Sequence, residues 1–205
     1  MRYVKWFVII AFWVLVAGFL HYTLPQHDVA RITDTYEKRI DPGENALFWA
    51  NASTGENVNL TGRDVFFIQT RLNNDKVMVY RNEDTGWGWP PYFKFDTSNL
   101  QAEAADLRST AAAPQWVVIK HYGWRNEFLS VYPNVVSIRP VDGPDVRIIP
   151  WLNIVLLTLL VAVSWAIWVR WRRFREARID PVLEDVGDNL DEAGGRIRGL
   201  FRRKG

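Results

Sequence analysis

Two long apolar runs, each with basic residues on its outer side, constrain this chain more than any motif in it. The first covers residues 6–20 (WFVIIAFWVLVAGFL) and the second residues 148–169 (IIPWLNIVLLTLLVAVSWAIWV). A membrane-spanning helix needs about 20 apolar residues, because each adds about 1.5 Å against a hydrocarbon core of about 30 Å. The second run reaches that length with only Asn153, Thr158 and Ser164 as polar interruptions. Trp151 stands near its start and Trp165, Trp168 and Trp171 toward its end, as interface anchors do. The first run is shorter. It reaches spanning length by extending to Leu24, or by drawing in Tyr3 and Val4 while Lys5 snorkels. Arg2 and Lys5 flank the first run; Arg170, Arg172, Arg173, Arg175 and Arg178 follow the second.

Loops rich in Lys and Arg stay in the cytoplasm, so this pattern predicts a two-pass protein of the cell inner membrane with both termini cytoplasmic. The expected organisation is a cytoplasmic N-terminus over 1–5, a signal-anchor helix over 6–24 and a periplasmic domain over 25–147. A second helix over 148–169 and a cytoplasmic tail over 170–205 complete it. A cleaved secretory signal is the rival reading of the first run, with Val16-Ala17-Gly18 as its small-residue site. Two tryptophans inside the run and the HYTLP stretch after it oppose that reading, and the absence of cysteine excludes a lipoprotein site.

Charge follows the same division. Residues 24–147 carry 13 Lys+Arg against 16 Asp+Glu, a net charge of about −3; the tail after Val169 carries ten against seven, about +3. The basic pI therefore reflects membrane topology, and a net acidic domain argues against nucleic acid as a partner. With no cysteine, disulfides, thiol chemistry and Cys-based metal sites are excluded. Asn51-Ala52-Ser53 and Asn59-Leu60-Thr61 are formal glycosylation sequons of a kind common by chance.

The segment between the runs is long enough for one modest core and patterned mostly as strand. Residues 29–36 alternate, with Val29, Arg31, Thr33 and Thr35 on one face and Ala30, Ile32, Asp34 and Tyr36 on the other. Residues 65–72 and 77–81 flank Asn73-Asn74-Asp75-Lys76, a hairpin signal. Further strands are expected over 92–95, 116–122, 128–132 and 135–141, with a short extra one over 46–50. A single helix begins at Ser98-Asn99-Leu100-Gln101, which has the form of a capping box, and places Leu100, Ala104 and Leu107 on one face. It should end before Pro114. The fold class is thus α+β: two transmembrane helices flanking a small β-rich domain with one helix. Three strands, a helix and then more strands is the order of an OB-like barrel; an open antiparallel sheet with the helix on one face is the alternative. Residues 21–28 and 139–150 read as short linkers holding the domain close to the bilayer.

The most unusual stretch is DTGWGWPPY, residues 84–92, which carries rigid aromatics on a Gly/Pro-rich loop. Trp87, Trp89 and Tyr92, with Trp124 and Arg125 on a second turn, form a candidate binding surface for a glycan, a peptide or lipid headgroups. The alternative is that these rings cap the open end of the barrel.

Catalytic patterns are absent. His21, His27 and His121 show no metal-ligand spacing; Glu83-Asp84 and Asp142/Asp145 are pairs only in sequence, and neither a nucleophile elbow nor a phosphate-cradling glycine loop occurs. No catalytic, metal or cofactor residues are expected. In the tail, Asp180-Pro181 starts an amphipathic helix expected over about 181–201. Its apolar face of Leu183, Val186, Leu190, Ile197 and Leu200 is a candidate cytoplasmic docking face. Acids crowd its first half and bases its second, which complements the helix dipole.

Four segments carry a resemblance: HYTLPQHD (21–28), YRNEDT (80–85), YFKFD (92–96) and YGWR (122–125). Together they resemble a family of alphaproteobacterial inner-membrane proteins catalogued only as a domain of unknown function. The likeness covers about the first 150 residues. It implies a bacterial cytoplasmic-membrane protein with a periplasmic domain, and it carries over no catalytic or ligand residues. Taken together, these readings lead to a non-enzymatic, membrane-tethered interaction protein, an accessory or assembly subunit of a membrane or envelope complex. Its expected partners are the lipid bilayer and a protein in the membrane or periplasm. A periplasmic binding module built on the loop aromatics and, last, an enzyme are the competing readings.

Overall fold

A computed structural model describes residues 2–40 and 63–181. Helix α1 (Arg2–Thr23) leads into strands β1 (Gln26–Ile40), β2 (Arg63–Leu72) and β3 (Val77–Asn82). Helix α2 (Thr97–Asp106), strands β4 (Trp116–Tyr122) and β5 (Asn134–Val141) and helix α3 (Trp151–Phe174) follow. The five strands close into a barrel in the order β1-β2-β3-β5-β4, so the open-sheet alternative does not hold. Every lateral pairing is antiparallel except the closing one, where β3 meets β5 in parallel at Arg81 and Asn134.

Strand β1 makes closure possible by serving two neighbours. Its first half, from Gln26 to Arg31, pairs with β4, and its second half, from Ala30 to Ile40, with β2. The register slips between Ile32 and Asp34, a bulge that bends the strand around the barrel. Inward-facing Ala30, Ile32, Ile68, Tyr80, Val117, Ile119 and Val135 form the core, and α2 adds Leu100, Ala104 and Leu107 to it. Helical spacing of three and four puts those three α2 side chains on one face, so the helix plugs the barrel with its apolar stripe.

Several local expectations are corrected. Asp96 caps α2, accepting from the Asn99 amide at 3.0 Å, and Ser98 is already inside the helix. Gln101 turns the other way, donating to the Phe67 carbonyl and accepting from Asn82. The end of the helix, at Asp106, falls before Pro114 as expected. Residues 92–95 are not a strand. Phe93 has φ +51°, and the amides of Thr85 and Gly86 both donate to the Lys94 carbonyl, so this stretch clasps its own loop. Residues 128–132 are a turn with Ser130 at φ +50°, closed by one bridge between Asn126 and Val131. The linkers are shorter than the composition suggests: only Leu24 and Pro25 separate α1 from β1, and β5 extends to Val141. The expected strand over 46–50, both sequons and the tail's docking face of Leu183, Val186, Leu190, Ile197 and Leu200 lie outside the described residues.

Residues Tyr3–Thr23 and Trp151–Ile179 form helices long and apolar enough to cross a membrane, and neither apolar window is buried by the rest of the protein. Pro150 immediately precedes α3, and the backbone relaxes into a π-helical turn at Arg175–Ile179.

Candidate functional site at the helix-bearing end of the barrel

One end of the barrel is built from the start of β1, the ends of β3 and β4 and the start of β5. Gln26 pairs with His121 there, Tyr122 with Asn134, and Arg81 with Asn134. Helix α1 enters at this same end, and the barrel satisfies the carbonyls that the helix leaves open. Within the last turn, Thr23 Oγ1 donates to Phe19 O at 2.8 Å and the Leu24 amide to Leu20 O at 2.8 Å. Gln26 Nε2 donates to His21 O at 2.9 Å, the Gly123 amide to Tyr22 O at 2.9 Å, and the Tyr92 hydroxyl to Thr23 O at 2.6 Å. The last five carbonyls of α1 are thus all bonded, three of them by groups of β1 and the two loops. Helix and barrel are mounted on each other without a flexible joint.

Aromatic rings surround this junction. Tyr92 stacks on Tyr122 at 4.9 Å, Tyr22 meets Tyr122 and Trp124 edge-on, and Trp89 stacks on Phe19 of α1 at 5.7 Å. Trp124 Nε1 also donates to His21 Nδ1 at 2.9 Å. Arg125 lies over Tyr132 at 4.3 Å and donates to the Asn126 and Val131 carbonyls, which folds the second loop. Gly123 has φ +92° and lies beside Tyr22 and Pro133, a backbone conformation that favours glycine.

The structure therefore divides the sequence-selected residues. Tyr92, Trp124 and Arg125 hold loops and helix together, whereas Trp87 is 84% exposed and Trp89 67% exposed. Neither tryptophan belongs to the core.

Beneath the rings lies a buried polar layer that single-sequence reading missed. Arg81 and Glu83 pair at 3.1 Å, both nearly inaccessible. Asn134 bridges them to β4: its Oδ1 accepts from the Glu83 amide, and its Nδ2 donates to the Glu83 carbonyl and the Tyr122 hydroxyl. Asn82 Nδ2 donates to Thr97 O and Gln101 Oε1, tying the layer to α2. Lys94 Nζ donates to Asn82 Oδ1 and to the Val135 carbonyl. Burial lowers the Lys94 pKa to about 7, against the opposing pull of Asp84 and Glu83. Two acceptors suit a neutral amine, which has two N–H donors. The only forward signal was YRNEDT itself, an unusually polar run at the end of a strand.

A second polar group sits between β1, β3 and β4. Asp28 Oδ2 accepts from the Tyr80 hydroxyl at 2.5 Å and lies 3.0 Å from His121 Nε2. Burial raises the Asp28 carboxyl, but hydrogen bonds and charge from His121, with the Tyr80 hydroxyl, outweigh it and the net shift is downward. Burial and the Asp28 charge push the Tyr80 phenol well above its ordinary range. His121 meets neither Glu127 nor Asp84 in these contacts. An open depression of about 350 Å³ lies between residues 92–96 and Asn99, Leu100 and Glu103 of α2; Asp28, Tyr80 and His121 do not line it. Among the described residues no three His, Asp or Glu side chains converge in the manner of a metal site.

The geometry defines a class: a small five-stranded barrel fixed rigidly to the end of a long apolar helix. The chain belongs to the family described as "Protein of unknown function (DUF1523)", which matches residues 1–175. That match runs past residue 150, so both apolar helices, α1 and α3, fall within the matched residues. A protein of Haemophilus influenzae named "Uncharacterized protein" is 36% identical over 169 residues, spanning 80% of this chain and 92% of the relative. No solved structure matches the chain.

Proposed function

We propose that this chain is a two-pass protein of the bacterial cytoplasmic membrane whose OB-like periplasmic barrel is a non-enzymatic interaction module, serving as an accessory or assembly subunit of a membrane or envelope complex. The observation that carries the reading is the bonding of the last five α1 carbonyls at the junction with the barrel. So rigid a mount suits a subunit that must present one face to a membrane neighbour. The basic residues after α3 and before α1 support cytoplasmic termini. A first helix whose final turn is part of the barrel's own bonding network is better suited to staying as an anchor than to removal.

Photo-crosslinking in native membranes tests the reading. A photoreactive residue at exposed Lys38 or Lys76, with products identified by mass spectrometry, should capture the same partner repeatedly. Recovery of monomer alone at every position would overturn it.

A further inference from the structure

The two loops that grip α1 carry their most exposed large apolar side chains at their tips. Trp87, on the loop after β3, is 84% exposed, and Phe128, on the loop after β4, is 94% exposed. Trp87 is not isolated. Phe93 and Phe95 each lie 5.4 Å from it, and both are more than half exposed. A cluster of water-facing rings on one loop and a further exposed ring on the other mark a surface for an apolar occupant.

The contacts with α1 fix where these loops stand. Trp89 stacks on Phe19 from one side. Trp124 packs from another, close enough that a methyl group at Gly18 would lie 3.9 Å from its ring. The apolar stretch Tyr3–Thr23 has 21 residues, about 31 Å of helix, which just spans a hydrocarbon core of about 30 Å. Phe19 lies four residues before the end of that stretch, about 6 Å inside it. A ring stacked on Phe19 therefore stands within about 6 Å of the boundary between hydrocarbon and headgroups, the zone where tryptophan concentrates in membrane proteins. Glu127, exposed beside Phe128, is tolerated among headgroups and not in hydrocarbon, which sets the depth at the interface.

We infer that the loops tipped by Trp87 and Phe128 straddle α1 and insert into the lipid headgroup layer of the membrane it crosses, forming an aromatic clamp that sets the orientation of the barrel. The occupant is lipid because both loops also touch, through Trp89 and Trp124, a helix whose own apolar surface ends at the same level. The inference rests on the membrane-anchor reading of α1.

The chain has no cysteine, so single-cysteine variants report one site each. Full-length Trp87→Cys, Phe128→Cys, Leu15→Cys and Lys76→Cys would be spin-labelled in nanodiscs of phosphatidylethanolamine and phosphatidylglycerol. Collision with oxygen is then compared with collision with a water-soluble nickel chelate. Leu15 reports α1, and Lys76 reports the hairpin at the other end of β3. The expected oxygen-to-nickel ratio is several-fold higher at 87 and 128 than at 76, and highest at 15. An aqueous ratio at 87 or at 128, with 15 in lipid, overturns the clamp and leaves the anchor standing. An aqueous ratio at 15 overturns the anchor and the clamp together. Shielding of 87 and 128 from both reagents indicates cover by a second copy of the chain, and also overturns the clamp.

Discussion

Lys94 is the residue whose charge the fold controls most directly. Its pKa falls from 10.5 to about 7 on folding because burial disfavours the ammonium. Between those values the unfolded chain binds more protons than the folded one, so stability must rise with pH across the window. The slope approaches about 1.4 kcal/mol per pH unit at most for one proton. Chemical denaturation of the full chain in detergent between about pH 7 and 9 should show this rise, and Lys94→Met should flatten it. An unchanged slope in the variant would place the lysine in water. Tyr92 makes a different case. Its hydroxyl spans from the loop to Thr23 O at 2.6 Å, and Tyr92→Phe keeps the stack on Tyr122 while removing that bond. A loss of about 1 kcal/mol is expected, read as a lower melting temperature with the far-UV spectrum retained. Asp28 works at the acid end. Its lowered carboxyl pKa contributes stability that is present above its ordinary value of 3.8 and lost as pH falls through the folded value. Asp28→Asn should therefore weaken the protein at neutral pH, by about 1–3 kcal/mol, and lessen its sensitivity to acid.

At the scale of elements, α2 separates a sequence signature from the contact that replaces it. Ser98-x-x-Gln101 has the letters of a capping box, yet Asp96 holds the cap and Gln101 is recruited by Asn82 and Phe67 O. Aspartate two residues earlier wins because helical geometry begins at Thr97, which Asp84 also fixes through a hydrogen bond from Thr97 Oγ1 at 2.5 Å. Asp96→Ala should cost about 1 kcal/mol and Ser98→Ala a few tenths, measured by thermal unfolding. Equal losses would restore the serine cap. The same competition explains the missing strand over 92–95. Its residues have strand propensity, but Lys94 is drawn inward by Asn82 and Val135, which forces Phe93 to φ +51°.

At the scale of the whole molecule, the two apolar helices and the barrel between them make a definite expectation about sidedness. A cysteine at Lys76, on the β2–β3 hairpin, should react with a membrane-impermeant maleimide in intact spheroplasts. A cysteine at Gly205 should react only after lysis. Labelling of both or of neither before lysis would overturn the two-pass topology, and labelling at 205 alone would reverse it.

Periodicity and apolar length are local properties, and they alone determined much of this protein. The two long helices, the strands around the NNDK hairpin, the alternation that puts Ala30 and Ile32 on one face, and the α2 stripe of Leu100, Ala104 and Leu107 are all visible one segment at a time; that the Ala30 face is the buried one is not. The aromatics of residues 84–92 and 122–125 also stood out, since Gly and Pro isolate them from any regular ladder. Only the tertiary structure decided what those rings do. Closure of β3 on β5 brings Arg81 and Asn134 together across more than fifty residues, and the same closure carries Tyr92 and Gly123 to the end of α1. Such contacts arise when distant polar groups must satisfy one another out of water. No spacing along the chain encodes that requirement. The long apolar helix was legible from hydrophobicity; its firm junction with the barrel was set by five carbonyls finding their donors.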